Sequence, residues 1–286
     1  MLYVLWFLVY FLATGYILGG TWISYLVCAG LYIVSLSIAF SPLGEKLLRV
    51  FNHVRVVKTK KEKEYLMPLY SEVYQEALKQ YPNLPALQGC IIDSLTVNAL
   101  AVGKHTVAVT RGAVETFSED ELKGIIAHEI AHIAHGDTKK ILINTVGNGI
   151  FSVLVIIMKS FLTLMDLLIV REQSINKAIR FFVAFVRMLI LLCLFLFVFV
   201  GNVILSLNSR KNEYRADHFA LQIGYGEELT EALYLLQKMS LGENMKLVEK
   251  IQSGHPHIAD RIAELEFYLD RPELIRPHSE PSTLSE

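Results

Sequence analysis

Two histidines and a glutamate stand at a spacing that could support hydrolysis. His128 and His132 are four residues apart and enclose Glu129, which makes the H-E-x-x-H pattern. On a helix, residues four apart point to the same side, so both imidazoles can reach one metal ion. A carboxylate beside such a metal can move protons for a water molecule. The pattern predicts a metal-dependent hydrolase in which Glu129 is the general base.

A second motif, farther along the chain, offers a third ligand. Glu213 and Asp217 are four residues apart. Zinc proteases that use two histidines take a glutamate as third ligand and keep one zinc position open for water, whose pKa falls to about 7. Asp217 stands one helical turn further on, where it can accept a hydrogen bond from a zinc-binding histidine. The predicted cofactor is one Zn²⁺ per chain.

The first motif needs a helix, and the sequence supplies one. Ser118 and Glu121 form a capping box at its start. Apolar residues follow at helical spacing: Leu122, Ile125, Ile126, Ile130 and Ile133. Strand-like runs at 89–93, 96–102 and 106–110 precede the helix. An earlier helix is expected to start at Pro68, because proline suits the first helical position.

The composition predicts a membrane protein with a water-soluble part. Apolar residues make up 53% of the chain and charged residues 19%, against about 45–50% and about 25% in globular proteins. Residues 1–44 carry no charge, and this length can cross about 30 Å of hydrocarbon twice. A second apolar block at 146–207 offers two more spans, although Lys159 and Asp166 interrupt the first of them.

Charges beside these spans predict the side of the membrane on which the motifs lie. Seven basic residues fall within 45–63, and the turn between the first two spans has none. By the positive-inside rule, the segment after the second span is cytoplasmic. Glu213 can join His128 only after an even number of crossings, and two candidate spans lie between them. The site is therefore expected to face the cytoplasm.

The predicted fold is mainly α-helical with a small β-sheet. It is a multi-pass membrane protein of about four spans with a cytoplasmic, zincin-like α+β protease domain. The expected boundaries are two transmembrane helices at 1–44, a first protease segment with the H-E-x-x-H helix at 45–145, two transmembrane or membrane-embedded helices at 146–207, a second protease segment with the Glu213 motif at 208–270, and a disordered tail at 271–286.

Charge and cysteine content exclude some functions. A net charge of −1 gives no sign of nucleic-acid binding. The three cysteines form no C-x-x-C pair, so neither a disulfide framework nor a cysteine-based zinc site is predicted. The expected partners are a protein or peptide substrate and the lipid bilayer, and the sequence makes no prediction of oligomeric state.

These motifs, in this order, resemble the HtpX family of membrane zinc proteases, which are related to the CAAX prenyl endopeptidases. The resemblance covers about residues 1–270. It includes Val97-Asn98-Ala99, the metal helix with Asp137 after it, Glu213–Asp217, and His255-Pro256 with Arg261-Ile262. It implies an endopeptidase in a prokaryotic cell membrane (the cell inner membrane) that acts on membrane or misfolded proteins as quality control.

The resemblance also implies roles for particular residues. The family's zinc ligands correspond to His128, His132 and Glu213. Its catalytic glutamate corresponds to Glu129, and an asparagine near bound substrate corresponds to Asn98.

A later histidine and arginine of the family lie near the developing oxyanion, and they correspond to His255 and Arg261. Imidazole and guanidinium groups are both able donors to such an oxygen. An equally open alternative is that His255 starts a helix and Arg261 forms a salt bridge. Leu100 departs from the family, where an aromatic residue is common at this position, and His257 has no assigned role.

Two other interpretations stay open. An intramembrane-cleaving zinc protease would hold the metal helix within the bilayer, but charged residues flank this helix: Glu119, Asp120, Glu121, Lys123, Asp137, Lys139 and Lys140. A non-catalytic membrane scaffold that keeps a zinc site is the other interpretation, and the intact Glu129 weighs against it.

Overall fold

Helices make up most of the chain, and a small sheet lies in its first half. The computed structural model describes residues 2–138, 177–240 and 257–275, with a few helical residues between 153 and 164. The helices are α1 (Leu2–Ile17), α2 (Trp22–Ala39), α3 (Pro42–Phe51), α4 (Lys60–Gln80), α5 (Arg111–Thr116), α6 (Glu119–Ala134), α7 (Lys177–Gln222), α8 (Gly226–Ser240) and α9 (Ile258–Leu269), and a 3-10 turn spans Pro272–Leu274. The strands are β1 (Val54–Val56), β2 (Gln88–Ile92), β3 (Ala99–Val102) and β4 (Thr106–Thr110). This confirms a mainly α-helical chain with a small β-sheet.

The chain divides into two compact units. The first comprises Met1–Ser37 and Ile143–Leu207, and the second comprises Ile38–Leu142 and Asn208–Glu286. The second unit contains all four strands and both predicted motifs. The long helix α7 contributes to each unit, because it runs without a break from the second apolar block into the segment that carries Glu213.

The first unit contains α1 and all but the last two residues of α2. α1 has 16 residues and α2 has 18, and neither carries a charged side chain. Among the residues that the structure describes, α2 is the one helix that is long and apolar enough to cross a membrane. The other three expected spans remain predictions, and most of residues 139–176 lies outside the described part of the chain.

The sheet of the second unit has the strand order β1-β2-β4-β3. β1 pairs antiparallel with β2, β2 pairs parallel with β4, and β3 pairs antiparallel with β4. Side chains alternate between the two faces of each strand. Ile91, Val107 and Val109 therefore point to the face that forms the main hydrophobic core with α4 and α6. β3 lies at an edge of the sheet and packs against α6.

Helix α4 begins earlier than the sequence predicted. Thr59 caps it, and the Thr59 and Glu62 side chains form a reciprocal capping box, so the first helical residue is Lys60. Pro68 lies inside the helix, and the expectation that it starts the helix was wrong. A proline inside a helix costs about 3 kcal/mol. Burial of apolar side chains on both sides of the proline, among them Leu66 and Val73, offsets that cost.

Helix α6 begins at the predicted capping box. The Ser118 hydroxyl accepts from the Glu121 N–H, and the Glu121 carboxylate accepts from the Ser118 N–H. The predicted apolar face is buried in the main core. Gly124 brings α6 close to α8, because a Cβ at this position would collide with the Leu229 backbone. The close contact fixes the helix that carries the histidines.

Candidate metal centre

Three side chains from two distant stretches of chain converge in the second unit. His128 and His132 extend from one face of α6, and Glu213 extends from α7. One ligand atom from each residue lies within 4.8 Å of the others. His128 Nε2 is 3.4 Å from a Glu213 oxygen and 3.3 Å from His132 Nε2, which is 3.7 Å from the other Glu213 oxygen. The three predicted ligands therefore surround a common point.

The hydrogen bonds at the far side of each imidazole favour metal binding at this point. His128 Nδ1 lies 2.8 Å from Asp217, and His132 Nδ1 lies 3.4 Å from Asp137. When Nδ1 donates to a carboxylate, the proton is on Nδ1 and the Nε2 lone pair is available. Two lone pairs and a buried carboxylate then face one another, and this arrangement favours a metal ion between them. The donor set of two imidazoles and a carboxylate fits a divalent transition metal.

Asp217 and Arg261 lie behind His128. Arg261 Nε and Nη2 donate to the two Asp217 oxygens at 2.7 and 2.6 Å, and Arg261 Nη1 is 3.3 Å from Glu213. All three side chains are buried, with Asp217 3% and Arg261 7% exposed. A bidentate arginine holds a carboxylate in a fixed plane. Arg261 thus orients Asp217, which in turn orients His128.

Asp137 and Arg215 play the corresponding part behind His132. Asp137 is 1% exposed, and its other oxygen lies 3.2 Å from Arg215 Nη2. From the sequence, Asp137 belongs only to the motif around the metal helix, and no contact with His132 is predicted. The available signal was its place just after the end of α6, five residues beyond His132, where the chain can turn back toward the imidazole.

Opposing effects act on the charges of this site. Burial and the Arg261 charge lower the pKa of His128, but hydrogen bonds to Asp217 and Glu213 outweigh them and raise it to about 9. Burial raises the pKa of Asp217, but the Arg261 charge and the His128 hydrogen bond hold it below its ordinary value. Without metal, His128 is therefore protonated at neutral pH, and a metal ion must displace that proton.

Glu129, the predicted base, is half-buried on α6 next to His128. Burial lowers the pKa of Arg261, but nearby negative charges outweigh it and raise that pKa. Asp217 and Glu213 contribute most to this rise, and the charge of Glu129 adds to it. The carboxylate therefore belongs to the same group of charges as the three converging side chains.

Asn98 lies at the start of the edge strand rather than among the converging side chains. It is exposed, and its side-chain oxygen accepts from the Ala99 N–H at 2.9 Å. Thr110 fixes its backbone, because the Thr110 hydroxyl accepts from the Asn98 N–H at 3.0 Å and the Thr110 N–H donates to the Asn98 carbonyl at 2.9 Å. Asn98 thus directly precedes the strand that packs beside the histidine helix.

The structure describes one of the two residues in the predicted pair of His255 and Arg261. His255 lies outside the described residues. Arg261 extends from α9 and forms a buried ion pair with Asp217, as expected from the alternative in which Arg261 forms a salt bridge. His257, which had no assigned role, is the N-cap of α9, and its Nδ1 accepts from the Ala259 N–H at 3.3 Å.

A helix-borne histidine pair, a distant glutamate and a neighbouring acidic base define the class of metalloproteases. The family model described as Peptidase family M48 matches residues 61–268, which is well over half of the sequence. The chain belongs to Peptidase family M48. It is therefore a metal-dependent protease, as the sequence predicted.

Curated relatives of this chain are HtpX homologs. A protease HtpX homolog from Methanocaldococcus jannaschii is 26% identical over 248 residues, which cover 82% of this chain and 80% of that protein. A second, from Bacillus licheniformis, is 28% identical over 192 residues, which cover 62% of this chain and 61% of that protein. The match thus spans less than two thirds of the length of the Bacillus licheniformis protein. The predicted HtpX-type resemblance is confirmed.

Among solved structures, a crystal structure of S. mikatae Ste24p is similar to this chain, with a TM-score of 0.49 and 20% identity. The match covers 85% of this chain and 57% of that one.

Proposed function

We propose that the chain is a zinc-dependent endopeptidase that is held in a membrane and works at its cytoplasmic face. The observation that carries the proposal is the convergence of His128, His132 and Glu213 within 4.8 Å. This donor set is that of zinc proteases with two histidines and one glutamate. When bound there, zinc would supply a Lewis acid that activates water at neutral pH.

The protein's own side chains would do the rest of the chemistry. Glu129 would take a proton from the attacking water and deliver it to the leaving amine. Asp217 and Asp137 would keep both imidazoles in the tautomer whose Nε2 faces the metal. Arg261 holds Asp217 and lies 3.3 Å from Glu213, so we assign it a positioning role first. We also propose that Arg261 and His255 donate hydrogen bonds to the oxyanion that forms during hydrolysis.

The edge strand is the proposed place for substrate. β3 packs beside α6, and Asn98 is exposed at its start. An extended peptide can add to the edge of a sheet and so align its backbone with the strand. We propose that Asn98 faces a peptide bound in this way.

The membrane assignment rests on sequence features and on one helix. α2 is long and apolar enough to span a bilayer, and basic residues follow it. Four spans, with protease segments at 45–145 and 208–270, would put both motifs in the cytoplasm. Membrane or misfolded proteins are the proposed substrates. Glu119 and Asp120 are exposed at the start of α6, and this argues against a metal helix buried in lipid.

The test compares single-site variants of the purified full-length protein on an unfolded protein substrate. Glu129→Gln should keep zinc and fold normally but lose roughly 10²–10⁴-fold in cleavage rate, because general-base transfer is removed. Glu119→Gln, an exposed glutamate ten residues earlier on the same helix, is the matched control and should cleave like the wild type. Equal cleavage by all three proteins would refute the mechanism. Absence of cleavage in zinc-loaded wild type would favour the scaffold interpretation.

A further inference from the structure

Helix α3 contacts the rest of its unit through its polar side. The Glu45 carboxylate accepts hydrogen bonds from the Thr106 hydroxyl at 2.9 Å and from the Lys104 N–H at 3.3 Å. Arg49 donates to Gln88 Oε1 at 2.8 Å. These partners lie at the turn between β3 and β4 and at the adjoining start of β2. The polar side of α3 is thus attached to one end of the sheet.

The apolar side of α3 faces outward. Leu43, Leu47 and Val50 recur at helical spacing on one face, and Phe51 adjoins them. We call these four residues the outer face; their exposed fractions are 54, 40, 63 and 76%. A surface helix of a soluble domain buries its apolar side and exposes its polar side. α3 instead exposes four of its five large apolar side chains and half-buries only Leu48, so its outer face favours an apolar environment outside the unit.

The position of α3 in the chain indicates what that environment is. α3 begins three residues after Ala39, the last residue of the candidate span. The connection is short and tightly bonded, because the Ser41 hydroxyl donates to the Ile38 carbonyl at 2.6 Å and accepts from the Gly44 N–H. Gly44 lies directly against the Ile38 and Ala39 carbonyls, where a Cβ would collide. The outer face therefore begins where the chain leaves the span.

Basic groups border the same region. Lys46 is exposed on α3, and Lys104 is exposed in the β3–β4 turn. Together with Arg49 and His105 they line a cavity of about 670 Å³ between α3 and that turn. An apolar helix face with flanking lysines is the composition of helices that lie at the surface of an anionic bilayer.

We propose that α3 is an interfacial helix whose outer face lies at the boundary between the lipid head groups and the acyl chains. Lys46 and Lys104 then meet the anionic phosphates of the head groups. Through Glu45, the helix holds the β3–β4 turn, and with it the edge strand that follows Asn98, at the bilayer surface. The inference rests on the proposed membrane location but not on proteolysis.

Tryptophan fluorescence tests the proposal in the full-length protein. The chain has two tryptophans, Trp6 and Trp22, and both are changed to phenylalanine. Phe51→Trp is then introduced as the probe. Phe267→Trp is the matched control, since Phe267 is another exposed phenylalanine of the second unit. Each protein is placed in bilayers of phosphatidylglycerol and brominated phosphatidylcholine, after its melting temperature and bound zinc are shown to match the wild type.

The depth of the quencher decides the outcome. Interfacial helices lie about 5–10 Å deep, so bromines near the head groups should remove roughly half or more of the Phe51→Trp emission, and bromines at the bilayer centre less. The Phe267→Trp control should be quenched by acrylamide in water instead. If acrylamide quenches both proteins alike and bromine quenches neither, the proposal is overturned. Shielding of Phe51→Trp from both quenchers also overturns it, because a protein surface would then cover α3.

One further protein separates failure of the helix proposal from failure of the membrane location. The Trp6→Phe variant retains Trp22, which is 72% exposed on α2. Quenching of Trp22 by brominated lipid, together with an unquenched Phe51→Trp, would reject only the interfacial helix. If neither is quenched, the membrane location itself is rejected.

Discussion

Arg261 donates to both oxygens of Asp217, at 2.7 and 2.6 Å, across 44 residues of chain. The pair is buried, and Asp217 in turn lies 2.8 Å from His128 Nδ1. A buried carboxylate with two strong donors is held in one orientation. The position of His128 therefore depends on the docking of α9, a helix that supplies no metal ligand.

Asp217→Asn should weaken metal binding without abolishing the fold. The amide has the same shape, but it loses the charge that pairs with Arg261 and polarises His128. Loss of such a partner typically costs 10–100-fold in metal affinity. Competition with a zinc chelator measures the change. Asp260→Asn, at an exposed aspartate on α9, is the control, and an equal loss in both variants would contradict the assignment.

Asp137→Asn should have a similar effect through His132, with zinc affinity lower by roughly 10–100-fold. Arg215→Gln should cost less, because the Arg215 side chain is 49% exposed and exposed ion pairs contribute little. Competition with a zinc chelator shows which of the two variants has the lower zinc affinity. Full zinc affinity in Asp137→Asn would show that its contact with His132 is incidental.

A cluster of charges at the start of α4 predicts acid sensitivity. Arg55 bonds to Glu62 and Asp93, and Arg111 lies near both carboxylates. The hydrogen bond from Arg55 lowers the pKa of Glu62 from 4.5 to about 2. A depressed carboxyl pKa stabilises the fold above pH 4.5, and this contribution is lost as pH falls toward 2.

Glu62→Gln should therefore melt at a lower temperature than the wild type at pH 7, with the difference shrinking below pH 4.5. Glutamine keeps the capping geometry, so the comparison isolates the charge. Thermal unfolding in detergent across this pH range provides the measurement. A difference that does not change with pH would place the effect in the cap rather than in the ion pairs.

Gly124→Ala should destabilise the second unit by about 1–3 kcal/mol, because the added methyl group meets the α8 backbone. Gly30→Ala is the control, since a Cβ there meets no atom within 4 Å among the described residues. Thermal unfolding compares the two. Equal melting temperatures for the two variants would mean that α6 and α8 can move apart without loss of stability, which would contradict the prediction.

Local signals in the sequence predicted the histidine helix well. Its capping box and apolar face both depend on residues within one or two turns of each other. Thr59 and Glu62 carry the same signal for α4, but the preference of proline for the first helical position favours a start at Pro68. Strong burial of apolar residues on both sides allowed the helix to continue through the proline.

Contacts between residues far apart in the sequence were harder to predict. The pairing of Arg261 with Asp217 and of Asp137 with His132 depends on how α9 and the end of α6 dock, which no periodicity encodes. The outer face of α3 was visible in the sequence as Leu43, Leu47 and Val50. From the sequence, Leu43 falls in the predicted spans at 1–44, and the basic charge of 45–63 predicts only the side of the membrane. An apolar stripe looks the same whether it faces a core or a lipid surface.

X-ray absorption of the purified, zinc-loaded protein shows which atoms bind the metal ion. The account predicts one zinc per chain, with histidine nitrogens at about 2.0–2.1 Å and no sulfur near 2.3 Å. It also predicts that Glu213→Ala and His132→Ala lose most of the bound metal. Full zinc occupancy with an unchanged spectrum in Glu213→Ala would contradict the shared site.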